Sequence, residues 1–365
     1  HSPATNKIWL QAQTQTVASA SGTAAVPASP ASSAITAAAA LPDPKTPKEF
    51  FARARQLSDL EASGIPFHLK ATYVASGDAE FTGNGTYEEW WQSKDLWRKE
   101  ATLGSFRYLA IMNGGTEKDY ASSSYVPLRL RQAMEIVLIR IPSGLGTSHR
   151  WKLKHKKLNG VDFAVLATED ACGGGVNKVK CLTQDYLSPD GILRIHVENG
   201  LEGVYNDFHA FRGLSIPGTI TASGDGAVIL NISIDSMGLL NANETELFKS
   251  PSLSANLQPA TPTVDMTDKV KAMVAKLAHQ VQPIYPAEAK KQKAEGTVVV
   301  DVTIDGTGKV REPFVIHSAG PMLDHSALDS LRQWIYSPTV ISGVPACVHT
   351  RIGVNYSLSS SIYSY

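Results

Sequence analysis

The residues with the strongest claim to chemistry sit in "VVVDVTIDGTGKV", residues 298–310: two carboxylates, Asp301 and Asp305, followed by Gly306, Gly308 and Lys309. A Gly-Lys pair grips phosphate when Ser or Thr follows it and another Gly lies five residues before its own; here those positions are Val310 and Thr303. The stretch therefore reads as a hairpin turn. Asp301 and Asp305 share a strand face with Val299 and Thr303 that is expected to meet solvent, where a carboxylate is ordinary surface charge. Ten histidines are scattered without ligand spacing, and neither HExxH nor GxSxG occurs. No residue is assigned a catalytic, metal or cofactor role, and the chain is expected not to be an enzyme. A hydrolase assembled from residues distant in sequence stays open as an alternative.

Thiol chemistry has one clear candidate. Cys172 and Cys181 flank "CGGGVNKVKC", and a flexible hairpin of that length can bring two sulfurs into bonding distance. A disulfide there implies an oxidising compartment. Reduced thiols or half of a zinc site are the competing readings, and no CxxC or His pair completes a zinc set. Cys347, within the apolar "GVPACVHTRIGV", is expected to be a buried, inert thiol.

The chain around these residues has 365 positions, enough for two or three domains, with 34 basic and 34 acidic side chains. Over the whole chain there is no net field to hold nucleic acid or an anionic membrane. No run of 18 apolar residues occurs, so no transmembrane helix is expected. A start at His1 rather than Met is what signal-peptidase trimming, or an engineered start, would give. The expected location is exported, either periplasmic or extracellular.

Residues 1–17 contain an alternating "NKIWLQAQTQTVASA", with Ile8, Leu10, Ala12 and Thr14 on one side and Trp9, Gln11 and Gln13 on the other. Such a strand could pair with a partner, and Lys7, Ile8, Trp9, Leu10 and Gln11 are its candidate contacts. Residues 18–46 are an Ala/Ser/Pro-rich linker.

Residues 47–253 read as an α+β unit, an antiparallel sheet with helices. "TPKEFFARARQLSDLEASG" has helical spacing at Phe50, Ala54, Leu57 and Leu60. A meander of short strands follows, with an Asn-Gly-Gly hairpin at 113–115, then an apolar helix in "VPLRLRQAMEIVLIRI" and three further hairpins. The run at 204–251, with "FHLKATY", "GTYEEWW" and "LWRKE", resembles the LolA/LolB half-barrel of envelope lipoprotein carriers. That resemblance implies a sheet face able to hold an apolar ligand, with "LAIM" and "MEIVLIRI" as groove-lining segments, although the same segments read more simply as core. Residues 254–280 are a linker and an amphipathic helix with Val270, Met273, Val274 and Leu277 on its stripe.

Residues 281–365 follow the order strand, strand, helix, strand. Val298, Val300, Val302 and Ile304 form one buried face; Leu323, Ala327, Leu328, Leu331 and Trp334 make a helical stripe; Ile352, Val354, Tyr356 and Leu358 alternate inward. With Tyr285, Pro286 and Ala289, "EGTV" at 295–298, Trp334, Tyr336 and Pro338, and Gly343 and Pro345, residues 281–358 resemble the TonB C-terminal domain, a small two-layer α+β fold. In that family the domain binds an outer-membrane partner by strand addition, which uses backbone rather than special side chains. "HTRIGVNYSL" is the candidate edge, with Arg351, Ile352, Val354, Asn355 and Tyr356 as site residues. A TonB transducer also needs a transmembrane anchor, and no such segment is read in this chain. Three functions are thus expected in order: assembly with other copies, in a filament or oligomer, through the N-terminal strand; a TonB-like adaptor for an outer-membrane or other envelope protein; and carriage of an apolar ligand.

Overall fold

The computed structural model describes residues 43–142, 151–172, 179–224, 226–248, 257–266 and 276–358. The expected strand at residues 7–16, and Val270, Met273 and Val274 of the expected amphipathic helix, lie outside them. Leu277 opens a short strand rather than continuing a helix.

The first helix begins with a reciprocal cap. Thr46 Oγ1 accepts from Glu49 N at 3.3 Å while Glu49 Oε2 accepts from Thr46 N at 3.1 Å, and Pro47 fills the first position, where no N–H is needed. It gives α1 (Pro47–Ser58). Asp59 leaves helical geometry and caps a second turn, α2 (Leu60–Ser63), by accepting from Ala62 N at 2.9 Å. The single helix expected is therefore two, joined at a residue whose side chain competes for backbone N–H.

The sheet strands follow as β1 (Phe67–Ala75), β2 (Gly83–Ser93), β3 (Leu96–Leu103), β4 (Phe106–Asn113) and β5 (Thr116–Ala121). After α3 (Leu128–Ile136) come β6 (Lys152–Leu158), β7 (Val161–Ala171), β8 (Lys180–Leu187), β9 (Leu193–Glu198), β10 (Leu201–Asn206), the small hairpin β11 (His209–Phe211) and β12 (Leu214–Ile216), β13 (Thr219–Gly224) and β14 (Ala227–Leu239). Apart from the separate β11–β12 hairpin, these strands and β15 (Gln258–Pro259) form one open antiparallel sheet in the order β15-β5-β4-β3-β2-β1-β14-β13-β10-β9-β8-β7-β6. Two-residue turns with positive φ at Gly114–Gly115, Asn159–Gly160 and Asn199–Gly200 set its hairpin registers.

One face of this sheet is covered by α1, α2, α3 and the chain after α3. Phe51, Leu60, Leu130, Ile136 and Ile139 pack there against Leu69, Tyr73, Tyr87 and Ile232. Helix α3 ends at Ile136, shorter than expected, and Val137, Leu138, Ile139 and Ile141 beyond it are buried in the core. In "LAIM", Leu109 and Ile111 share one face of β4 and Ala110 and Met112 the other, and Leu109, Ala110 and Ile111 are buried.

The terminal unit contains β16 (Thr263–Asp265), β17 (Leu277–His279), α4 (Ala287–Lys291), β18 (Gly296–Ile304), β19 (Val310–His317), α5 (Pro321–Leu331), β20 (Ile335–Tyr336), β21 (Thr339–Ile341) and β22 (Val344–Tyr356). Its main sheet runs β16-β22-β18-β19. Helix α5 packs Leu323, Ala327 and Leu331 against Val298, Val300, Val302 and Val354. The expectation of a single buried face is corrected: Val299, Phe314 and Ile316, on the other face, join the core of the large sheet. The terminal unit thus buries both faces of its sheet, one under its own helix and one against the preceding unit.

Candidate binding edge of the terminal domain

Strand β22 is held from both sides over part of its length. On one side it pairs antiparallel with β18, from Ile304↔Val348 to Gly296↔Tyr356. On the other, β16 adds in parallel at Thr263↔Cys347, Val264↔Val348 and Asp265↔His349. Cys347 N donates to Pro262 O at 2.8 Å and Met266 N donates to His349 O at 2.8 Å, which fixes the backbone of the odd-numbered residues as outward-facing. Alternation then directs the N–H and C=O of Arg351, Gly353 and Asn355 to the same outer edge. Among the described residues no strand pairs with them. Among the described residues the edge is therefore half filled by the chain's own linker and half unpaired.

The side chains along this strand are engaged elsewhere. Arg351 Nη2 donates to Asn199 Oδ1 at 3.0 Å and Nη1 donates to the Cys172 carbonyl, linking β22 to the hairpin closed by the Cys172–Cys181 disulfide. Asn355 Oδ1 accepts from Thr297 Oγ1 at 3.0 Å. Val354 and Tyr356 are fully buried, with Tyr356 edge-on to Tyr285 at 5.4 Å between centroids, and Ile352 is half-buried against the same core. Leu358, expected inward, is 45% exposed. What this strand offers a partner is backbone. Lys7, Ile8, Trp9, Leu10 and Gln11 lie outside the described residues.

The carboxylates beside the edge are not solvent-facing, contrary to expectation. Asp301 Oδ2 accepts from His349 Nε2 at 2.8 Å. Asp305 is 2% exposed; burial opposes its charge, but Thr307 N and Oγ1 at 2.8 and 2.6 Å, Lys309 N at 3.1 Å and Arg311 Nε at 2.8 Å outweigh that and hold its pKa below the ordinary value. The DGTG turn is sealed at the same time. A Cβ on Gly308, at φ +88, would sit 1.9 Å from Tyr336 O, and Gly308 O already accepts from Tyr336 N at 2.7 Å. The turn's N–H groups are spent within it, those of Thr307 and Lys309 on Asp305 Oδ1 and that of Gly308 on Asp305 O at 2.9 Å.

Cys347 is fully buried with Sγ 3.1 Å from Ser124 O, and burial pushes its thiol up, which keeps it protonated and inert.

Residues 281–358 match the family model described as Gram-negative bacterial TonB protein C-terminal. Protein TonB of Vibrio cholerae serotype O1 is 32% identical over 109 residues, which cover 28% of this chain and 45% of that protein. The chain thus spans less than half the length of this relative. For the larger unit, a LolA superfamily protein from Nitrosomonas europaea superposes with a TM-score of 0.38 at 11% identity, covering 57% of this chain and all of that one. A domain from Vibrio parahaemolyticus named for outer-membrane lipoprotein sorting gives 0.31 at 11% identity, covering 55% of this chain and 97% of its own.

Within the TonB-type domain, the quoted landmarks have local jobs. Pro286 starts α4, whose Ala289 is fully buried, and Tyr285 Oη donates to Ala294 O at 2.6 Å. Trp334 Nε1 donates to Val281 O at 2.8 Å, and Gly343, at φ +84, closes the β21–β22 turn. Two features of the edge were missed in the sequence. One is β16, whose three-residue "TVD" is too short to show alternation; the other is the contact between the two units, for which Val299 opposite a valine-rich face was the only signal.

Proposed function

We propose that this chain is a non-enzymatic envelope protein of the periplasm that binds a segment of an outer-membrane protein by strand addition to the open half of β22. The observation that carries the reading is the row of outward N–H and C=O groups at Arg351, Gly353 and Asn355, unpaired among the described residues and continuous with the stretch where β16 already adds as a strand. The similarity to a TonB protein supports a partner in the envelope. Carriage of an apolar ligand has less support, because the helix-covered face of the large sheet is filled by Phe51, Leu130, Ile136 and Ile139.

The test places a photo-cross-linking amino acid at Leu358, just beyond the edge, in the native host. Mass spectrometry should identify an outer-membrane protein in the adduct, and Gly353→Pro should abolish it while the fold persists, since an edge strand tolerates Pro where its N–H faces out. An adduct with residues 7–16 of a second copy would replace this reading with self-assembly. An adduct indifferent to Gly353→Pro would remove strand addition.

A further inference from the structure

Among the described residues a second unpaired edge lies at the far end of the large sheet. Strand β6 pairs, among the described residues, only with β7, from Leu158↔Val161 to Lys152↔Ala167, and the pair closes on the two-residue turn Asn159–Gly160. A two-residue turn makes its flanking residues a hydrogen-bonded pair, so Leu158, Lys156, Lys154 and Lys152 direct their backbone groups to β7. Those of Lys157, His155 and Leu153 point outward. Among the described residues no strand meets them.

The side chains here are anomalous for this chain. Its 34 basic and 34 acidic residues cancel, yet β6 reads KLKHKKL and no carboxylate occurs from Ile136 to Val161. Lys152, Lys154 and Lys157 are exposed, and among the described residues they form no ion pair. Lys156 lies over the Tyr186 ring at 5.4 Å, and His155 is 3.8 Å from Asp162 with both side chains more than half exposed. Alternation places Lys152, Lys154 and Lys156 on one face of the strand, and His155 and Lys157 on the other. Cations that diverge in this way do not grip a small anion. A strand running beside them, with carboxylates alternating to its own two faces, meets both rows while its backbone completes the outward groups.

We infer that β6 is a docking edge for an acidic, extended segment of a partner protein, which it takes up as a further strand of the large sheet. Charge complementarity decides the occupant. Like charges directly opposite destabilise a strand pair, so a second copy of β6 is refused, and a neutral strand gains backbone pairing alone. Lysines that merely guard an edge predict no binding of any strand. This inference is independent of the reading of β22.

The full chain would be titrated with the capped peptide Thr-Glu-Val-Glu-Glu-Thr-Glu-Val and with the same peptide carrying Gln for Glu, amide exchange being followed residue by residue. The acidic peptide should slow the amides of Leu153, His155 and Lys157 and bind roughly tenfold or more tightly than its Gln form, each opposed pair contributing a few-fold. High salt should erase most of that difference. His155→Pro, at an outward N–H, should abolish binding with nearly all the charge retained, and exchange in the unmodified chain covers the case where that variant misfolds. Binding without slowed amides would overturn the inference as diffuse charge attraction. So would absence of binding, or preference for phosphatidylglycerol vesicles over the peptide.

Discussion

His196 and Asp185 face one another across β9 and β8, with Nδ1 2.6 Å from Oδ1, and Nε2 lies 3.4 Å from Glu198 Oε2. Burial alone would favour the neutral ring, but the two carboxylates outweigh it and push the pKa from 6.5 up to about 10. The folded protein therefore binds this proton more tightly than the unfolded chain does. The stabilisation is complete below about pH 6.5 and is lost as pH rises through about 10. Urea unfolding between these limits should show stability falling with pH, and His196→Gln should flatten the slope; an unchanged slope would mean that another group titrates. Nothing in "LRIHVEN" announced this, because Asp185 is brought opposite His196 only by strand register.

At the scale of elements, the two units are joined by a cap. Helix α3 starts after Pro127, which supplies no side-chain bond to the exposed N–H groups of its first turn. Glu312 of β19 fills that role from the other unit: Oε2 accepts from Leu128 N at 2.5 Å and Oε1 from Glu80 N at 3.1 Å. Its φ of +43 at an irregularity in β19 is what turns the side chain toward the helix. Glu312→Ala should lower stability by about 1–3 kcal/mol, measured by chemical denaturation, as loss of a helix cap and two buried bonds requires. A loss within a few tenths would show that water replaces the carboxylate. Strands and hairpins were legible from alternation and Asn-Gly turns, since these depend on neighbours two residues away. This cap was not, because it joins residues 184 positions apart.

At the scale of the molecule, Val299, Phe314 and Ile316 tie the terminal sheet to the core built on α1, α3 and the large sheet. Gly200 shows how tightly the units meet: a Cβ there would lie 2.5 Å from Val315 O. Arg311 Nη1 pairs with Glu80 at 3.2 Å, and Arg332 with Asp78, around the rim. Heating should therefore melt the two units together. Val299→Asp, which buries an unpaired carboxylate in that contact, should split the calorimetric transition in two. Two transitions already present in the unaltered chain would refute the shared core.

The sequence by itself determined the local vocabulary: which stretches are strands, where hairpins turn, that Cys172 and Cys181 could bond, and that the last 80 or so residues follow the TonB C-terminal order, because each rests on short-range periodicity or ordered landmarks. Only the tertiary structure decided which faces are spent. Asp301 and Asp305 alternate as surface residues do, yet His349 on the adjacent strand and the chain's own turn engage them. Among the described residues the β22 and β6 edges are unpaired for the complementary reason: strand order in a sheet is set by long-range pairing, and no residue's type records whether another strand lies beside it.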